Sequence, residues 1–268
     1  IKDSGARYVI LLTKHHDGFA MFDSKLTDYK VTHTPFGRDA TAELAQALQE
    51  TGIRIFWYYS QPDWHHPDYL TERHAQYIEY LHGQVRELLT NYGKIDGMWF
   101  DGLQGNADTW DSPKLFQMIR ELQPGIMINN RAGLPGDFVT PEQTIGQFQL
   151  DQPWESCMTM STGWSWTGAR SPVKSLAECI QLLVRCAGGG GNLALDTGPL
   201  PDGTIDPRQA ENYRGMGRWL AQYGESIYAT IGGPYMPTRS MVSTRKGSTI
   251  YLHVLSWDVD VLTLPPLS

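Results

Sequence analysis

Short apolar runs that stop abruptly in polar, aromatic or ionisable residues recur along the chain. Tyr8-Val9-Ile10-Leu11-Leu12-Thr13 leads into Lys14-His15-His16-Asp17-Gly18, Ile55-Phe56-Trp57-Tyr58-Tyr59 into Ser60-Gln61-Pro62-Asp63-Trp64-His65-His66, and Met98-Trp99-Phe100 into Asp101-Gly102. Runs of this length and composition predict buried β-strands, here over about 8–13, 54–59 and 96–100. Between them the period changes to that of a helix: Leu44, Ala47 and Leu48 share one face over about 41–51, before Gly52 as a candidate C-cap. Further helices are expected over 71–92, 113–122 (stopped by Pro124-Gly125), 172–187 and 207–222, and further strands over 126–130, near 145–150 and over 192–195. Repeated βα units of this kind predict a parallel sheet with helices outside it. About six parallel strands precede the helix at 207–222, two short of a closed eight-stranded barrel. After Gly232-Gly233-Pro234 the pattern becomes period two around a hairpin-like Arg245-Lys246-Gly247-Ser248, as at the beginning of a β domain.

Composition narrows the function classes. The 268 residues are 41% hydrophobic and carry a formal net charge of −7, enough for a sizeable core and opposed to a nucleic-acid surface. No apolar stretch is long enough to span a bilayer. Residues 1–6 show no signal peptide and no initiator Met, so the chain reads as a processed or truncated piece whose start gives no localisation. Cys157, Cys179 and Cys186 make no even framework, and the last two, seven apart on one helix, are too distant for a disulfide; all three read as small apolar residues. Gly188 to Gly191 lacks the Gly-Lys-Ser/Thr ending of a phosphate loop, which leaves close backbone approach or positive φ as its reason.

In an α/β barrel the chemistry sits at strand ends. Asp101 alone is ordinary Asp-Gly turn chemistry. Its company changes the balance: Trp99, the His15-His16 pair and Tyr58-Tyr59 concentrate polar and aromatic groups that suit a sugar, whose C–H faces stack on indoles and whose hydroxyls need donors and acceptors. Adjacent histidines on a strand face opposite ways, so one metal ion is a poor reading of His15 and His16, and His65-His66 lacks ligand spacing too. No metal and no cofactor is expected. Cleaving a sugar needs a second carboxyl group, for which Glu142 and Glu155 are candidates; the bland readings are a turn cap after Pro141 and a buried acid paired with an arginine.

The segments Gly5 to Val9, Thr13 to Phe19, Phe22-Asp23-Ser24, Thr34 to Asp39, Tyr58 through Trp64, Trp99 to Gly102, Trp154-Glu155, Gly190 to Leu193 and Gly198-Pro199 to Gly203 together resemble the α-L-fucosidases of glycoside hydrolase family 29. The resemblance runs from residue 5 to about 228. It implies a retaining exo-glycosidase that removes terminal α-L-fucose from oligosaccharides or glycoconjugates through a covalent fucosyl-enzyme. By motif, Asp101 is the nucleophile, His15 and His16 bind fucose hydroxyls, Tyr59 and Trp64 line the sugar pocket, Trp99 packs against it, and Arg131 lies near the sugar. Glu142, in a Phe-x-Thr-x-Glu context, is the acid/base, with Glu155 in reserve.

Members of the family begin with a strand carrying a Phe-x-x-His-Trp-Gly type segment, which Ile1 follows rather than contains. The expected architecture is therefore α/β: a (β/α)8-like TIM barrel over 1–230 that lacks its first βα unit, with 1–6 the tail of the preceding helix, and the start of a C-terminal β-sandwich over 231–268. An open barrel exposes apolar edges, so self-association into a homo-oligomer is an expectation. The alternative function is a catalytically silent fucose-binding remnant. Secreted, periplasmic and lysosomal-type compartments all fit.

Overall fold

Two compact units make up the computed structural model, one of Arg7–Phe138 and one of Val139–Ser268 with Ile1–Ala6; it describes residues 1–102, 105–145, 148–257 and 260–267. In the unit Arg7–Phe138, the apolar runs become β1 (Tyr8–Lys14), β2 (Arg54–Tyr59), β3 (Gly97–Phe100) and β4 (Met127–Ile128), paired in that order and all parallel. Helices α1 (Ala40–Gln49), α2 (His74–Thr90) and α3 (Ser112–Leu122) are the connections. Asp39 starts α1 by accepting the N–H of Ala42 at 2.9 Å, satisfying one donor that the first turn leaves free. On β2, Trp57 and Tyr59 face α2, donating to Leu88 O at 3.0 Å and Gln84 Oε1 at 2.8 Å. Ile55, Leu81, Val85, Leu88, Met98, Phe100, Leu115 and Ile119 complete that core. Each such side chain contributes about 1.5–3 kcal/mol by leaving water.

The unit Val139–Ser268 contains a second parallel pair, β5 (Glu155–Thr159) with β6 (Asn192–Asp196). Its helices are α4 (Leu176–Gly188) and α5 (Pro207–Tyr223), packed around Met160, Cys179 and Met216. A capping box fixes where α4 begins: Ser175 accepts the N–H of Glu178, whose carboxylate takes the N–H of Ser175 at 2.7 Å. The helix therefore starts at Leu176 rather than 172, and its cysteines are free thiols. Gly190 has φ +89°, and a Cβ on Gly191 would collide with the Trp154 indole, which explains the glycine run. Then β7 (Ile231–Gly232), β8 (Met241–Lys246) and β9 (Thr249–Val254) form an antiparallel sheet. Lys2–Ser4 is a 3-10 turn, and Tyr228 donates to Gly5 O at 2.6 Å.

Five of the six expected parallel strands are found among the described residues, and β5 brings the total there to six, as a sheet of four and a sheet of two. The strand expected near 145–150 is the exception. Residues 146 and 147 lie outside the described residues, as do 258, 259 and 268 of the expected sandwich segment, and the described neighbours of 146 and 147 carry no strand. Gln149 instead gives its N–H to Gly189 O at 3.0 Å, and the parallel ladder falls on Glu155–Thr159. Among the described residues no helix is long and apolar enough to cross a membrane.

Candidate active site

Asp101 stands immediately past the carboxyl end of β3, 8% exposed, with its two oxygens differently engaged. Oδ1 accepts Arg131 Nη1 at 3.0 Å and Oδ2 accepts the Tyr58 hydroxyl at 2.7 Å. His16 Nε2 lies 3.7 Å from Oδ2. Below the carboxylate, Asn129 clamps β3: its side chain accepts the Phe100 N–H and donates to the Phe100 carbonyl, both at 2.9 Å. That buried double hydrogen bond fixes the residue preceding Asp101.

Strand register explains who reaches the site. Tyr58 is opposite Trp99, so the two share a side of the sheet with Asp101, two residues on from Trp99. His15 stacks on Tyr58 with ring centroids 5.5 Å apart, Tyr58 stacks on Trp99 at 5.5 Å, and the Arg131 guanidinium lies 4.5 Å from the Trp99 centroid. A continuous flat wall results, closed by a charged end. Tyr59, expected in the sugar pocket, is instead fully buried on the α2 side. The tyrosine that meets Asp101 is Tyr58, because neighbours on a strand face opposite ways.

His15 and His16 lie past the end of β1, where alternation no longer applies, and their rings approach to 4.3 Å. With Asp101 they offer donor atoms all within 4.8 Å of one another. The expectation that the pair cannot face one ion thus fails, for that reason. A cation there would stand beside a carboxylate that Arg131 already pairs, which disfavours it. His16 touches the Ser60 hydroxyl through Nδ1, and burial, then the neighbouring His15, pull its pKa down. It is therefore mostly neutral near pH 7, with Nε2 facing Asp101. Burial, then Asp101, push the Tyr58 phenol up, so it stays a donor. Trp64 is 70% exposed with its ring 5.3 Å from that of His16. His65 and His66 diverge, to Tyr29 at 4.1 Å and Tyr80 at 4.5 Å between centroids, as structural aromatics do.

The two glutamates belong to the other unit. Residues 139–142 run parallel to β5 through bridges of Val139 with Trp154 and Glu142 with Cys157. Glu142 is exposed at the carboxyl end of that run, the position that Asp101 has on β3. Glu155 is 3% exposed and opens β5, at the opposite end of the ladder.

Asn129 lies outside the motifs, and Tyr58 and Ser60 lie inside the motif from Tyr58 through Trp64, which assigns the pocket to Tyr59 instead. Pairing parity separates Tyr58 from Tyr59 once the register of β2 and β3 is known, and no single-strand pattern contains it.

The α-L-fucosidase family model matches residues 1–225. Tissue α-L-fucosidase of Macaca fascicularis is 32% identical over 95% of this chain and 59% of its own length; human plasma α-L-fucosidase is 31% identical over 85% and 53%. The chain spans somewhat over half the length of these relatives. Among solved structures, α-L-fucosidase isoenzyme 1 from Paenibacillus thiaminolyticus superposes with TM-score 0.90 at 36% identity, covering 94% of this chain and 69% of that one. A family 29 α-L-fucosidase from Bacteroides thetaiotaomicron, trapped as a covalent intermediate with 2-fluoro-fucosyl fluoride, gives 0.85 at 30% identity, covering 92% and 64%. The chain, an α/β protein with a C-terminal antiparallel sheet, belongs to the α-L-fucosidase family, glycoside hydrolase family 29.

Proposed function

We propose that this chain carries the catalytic machinery of a retaining exo-α-L-fucosidase acting on fucosylated oligosaccharides or glycoconjugates. The observation that carries the reading is Asp101 itself: a strand-end carboxylate oriented by Arg131 at 3.0 Å and Tyr58 at 2.7 Å, with a wall of stacked rings beside it. An ionised nucleophile needs such donors, and a pyranose needs such a wall.

In this reading Asp101 attacks the anomeric carbon while Glu142 protonates the departing oxygen. Water then releases fucose from the covalent ester, with Glu142 acting as base. His15 and His16 bind fucose hydroxyls, helped by the neutral state of His16; Trp64 closes the open side and Trp99 and Arg131 flank the sugar. The strand-end position of Glu142 favours it over Glu155, whose burial at the amino end of β5 suits a structural acid.

The same reading takes residues 1–230 as part of a (β/α)8-like domain and 231–268 as the start of a β-sandwich. Six parallel strands interleaved with helices, then a switch to antiparallel pairing at β7, support it. The test is release of L-fucose with retained anomeric configuration from a synthetic α-L-fucoside, followed by NMR. Inversion, or no release, would sink the proposal.

A further inference from the structure

β1 does not pair regularly to its end. Leu12 is opposite Tyr58 and Lys14 opposite Tyr59, so Thr13 is an extra residue in the ladder, a β-bulge. One inserted residue reverses the side that the next strand residue takes. Lys14 therefore shares the side of Tyr59, toward α2, and His15, just past the strand, stacks on the ring of Tyr58. In a regular strand the lysine would face Asp101 and His15 would face the core.

The interactions that hold Lys14 on the inner side are specific. Its side chain is wholly buried, with Nζ 3.0 Å from Asp63 Oδ2 and 4.6 Å from the Tyr59 ring centroid. Tyr77 and Tyr80 each present a ring at 5.9 Å. Burial pulls the ammonium down to about 8, and Asp63 is the main influence opposing it. Asp63, 1% exposed, uses Oδ1 to accept the N–H groups of His65 at 3.0 Å and His66 at 2.9 Å. It also abuts the histidine turn: Gly18 has φ +80°, and a Cβ there would collide with the Asp63 carboxylate. Backbone bonds from Trp64 N to His16 O at 2.7 Å and from Gly18 N to His15 O at 3.0 Å complete the contact.

We propose that Lys14 and Asp63 are positioning residues whose buried ion pair selects the bulged register of β1 and thereby holds His15 and His16 against Asp101. They act through the histidines. The consequence for sugar binding rests on the fucosidase reading above, whereas the geometry does not.

The test compares the 268-residue chain with Lys14→Met, Asp63→Asn and the double variant, in which no buried charge is left unpaired. Readouts are circular dichroism, nitrogen–proton spectra of the imidazoles, calorimetric titration with L-fucose, and kcat and KM on a chromogenic α-L-fucoside. The folded double variant is expected to lose the parent ring resonances of His15 and His16 and to bind L-fucose about tenfold more weakly. In a background with both His15→Ala and His16→Ala the same changes should add little, since they act through residues already removed. The proposal is overturned if the folded double variant keeps the parent resonances and an affinity within about twofold, or if its loss adds in full to that of the paired histidine substitutions. Should Lys14→Met fail to fold, Asp63→Asn decides the matter, because it keeps acceptors for His65 and His66. A parent that releases no fucose would count against the fucosidase reading alone; the imidazole spectra would still judge the ion pair.

Discussion

Tyr58 donates its hydroxyl to Oδ2 of Asp101 at 2.7 Å, on the free side of the sheet, within the same wall as Trp99 and His15. Tyr59, one residue later, gives its hydroxyl to Gln84 in the core. Two phenylalanine substitutions should therefore separate cleanly. Tyr58→Phe removes a hydrogen bond to a charged group, about 1.5–3 kcal/mol, and should lower kcat by about ten- to a hundredfold with little change in melting temperature. Tyr59→Phe strands the Gln84 carbonyl and should cost about 1–3 kcal/mol of stability with kcat nearly intact. Steady-state kinetics and thermal melts on both variants check this; equal kinetic losses would refute the assignment of faces.

Asp101→Ala should abolish turnover, and azide should restore a fraction of it with an inverted fucosyl azide as product. The small anion takes the space of the missing carboxylate and attacks from the same face. Near-normal rate in the variant, measured with a chromogenic fucoside, would remove Asp101 from the mechanism.

Arg131→Lys keeps the charge but loses the flat group over Trp99 and the directed Nη1 donor on Oδ1. The expected result is a fall in kcat/KM of about ten- to a hundredfold, mostly in kcat, because in the proposed reading the donor orients the attacking carboxylate. A fall confined to KM would instead assign Arg131 to uniform sugar binding.

What the sequence made legible follows from locality. Asp101 could be found because it ends a short apolar run and Arg131 because the family resemblance reaches it, and the beginning of α4 is written in Ser175-x-x-Glu178, although the helix is expected from Pro172. Tyr58, the outward-turned His15 and the Asn129 clamp could not, since each depends on pairing between strands. The bulge at Thr13 inverts any alternation argument carried along β1. The segment around 148–150 misled for a related reason: Phe148 and Leu150 look like a strand, yet their backbone lies against the glycine run and the ladder forms later.

Glu142→Ala should spare substrates with good leaving groups, such as an aryl fucoside with an acidic phenol, and cripple natural glycosides by about a hundredfold or more. An activated leaving group departs without a proton. Comparing kcat/KM on the two substrates checks the acid, and the same pattern in Glu155→Ala with none in Glu142→Ala would exchange their roles.

Asp196, at the carboxyl end of β6, supplies a prediction about pH and stability. Its Oδ2 is buried without a hydrogen bond among the described residues, and burial raises its pKa from 3.8 to about 7. The folded chain thus binds this proton more tightly than the unfolded one, so the associated stability is fully present below about pH 3.8 and is lost as pH rises through about 7. The difference is on the order of 4 kcal/mol at full ionisation. Asp196→Asn replaces the ionisable group with a neutral one of similar shape, so it should raise the melting temperature at pH 7.5 and change it little, or lower it slightly, at pH 4. Melting curves of parent and variant from pH 4 to 8 provide the check. The parent should lose stability across that range relative to the variant, and parallel curves would show that Asp196 ionises in the folded chain as it does in the unfolded one.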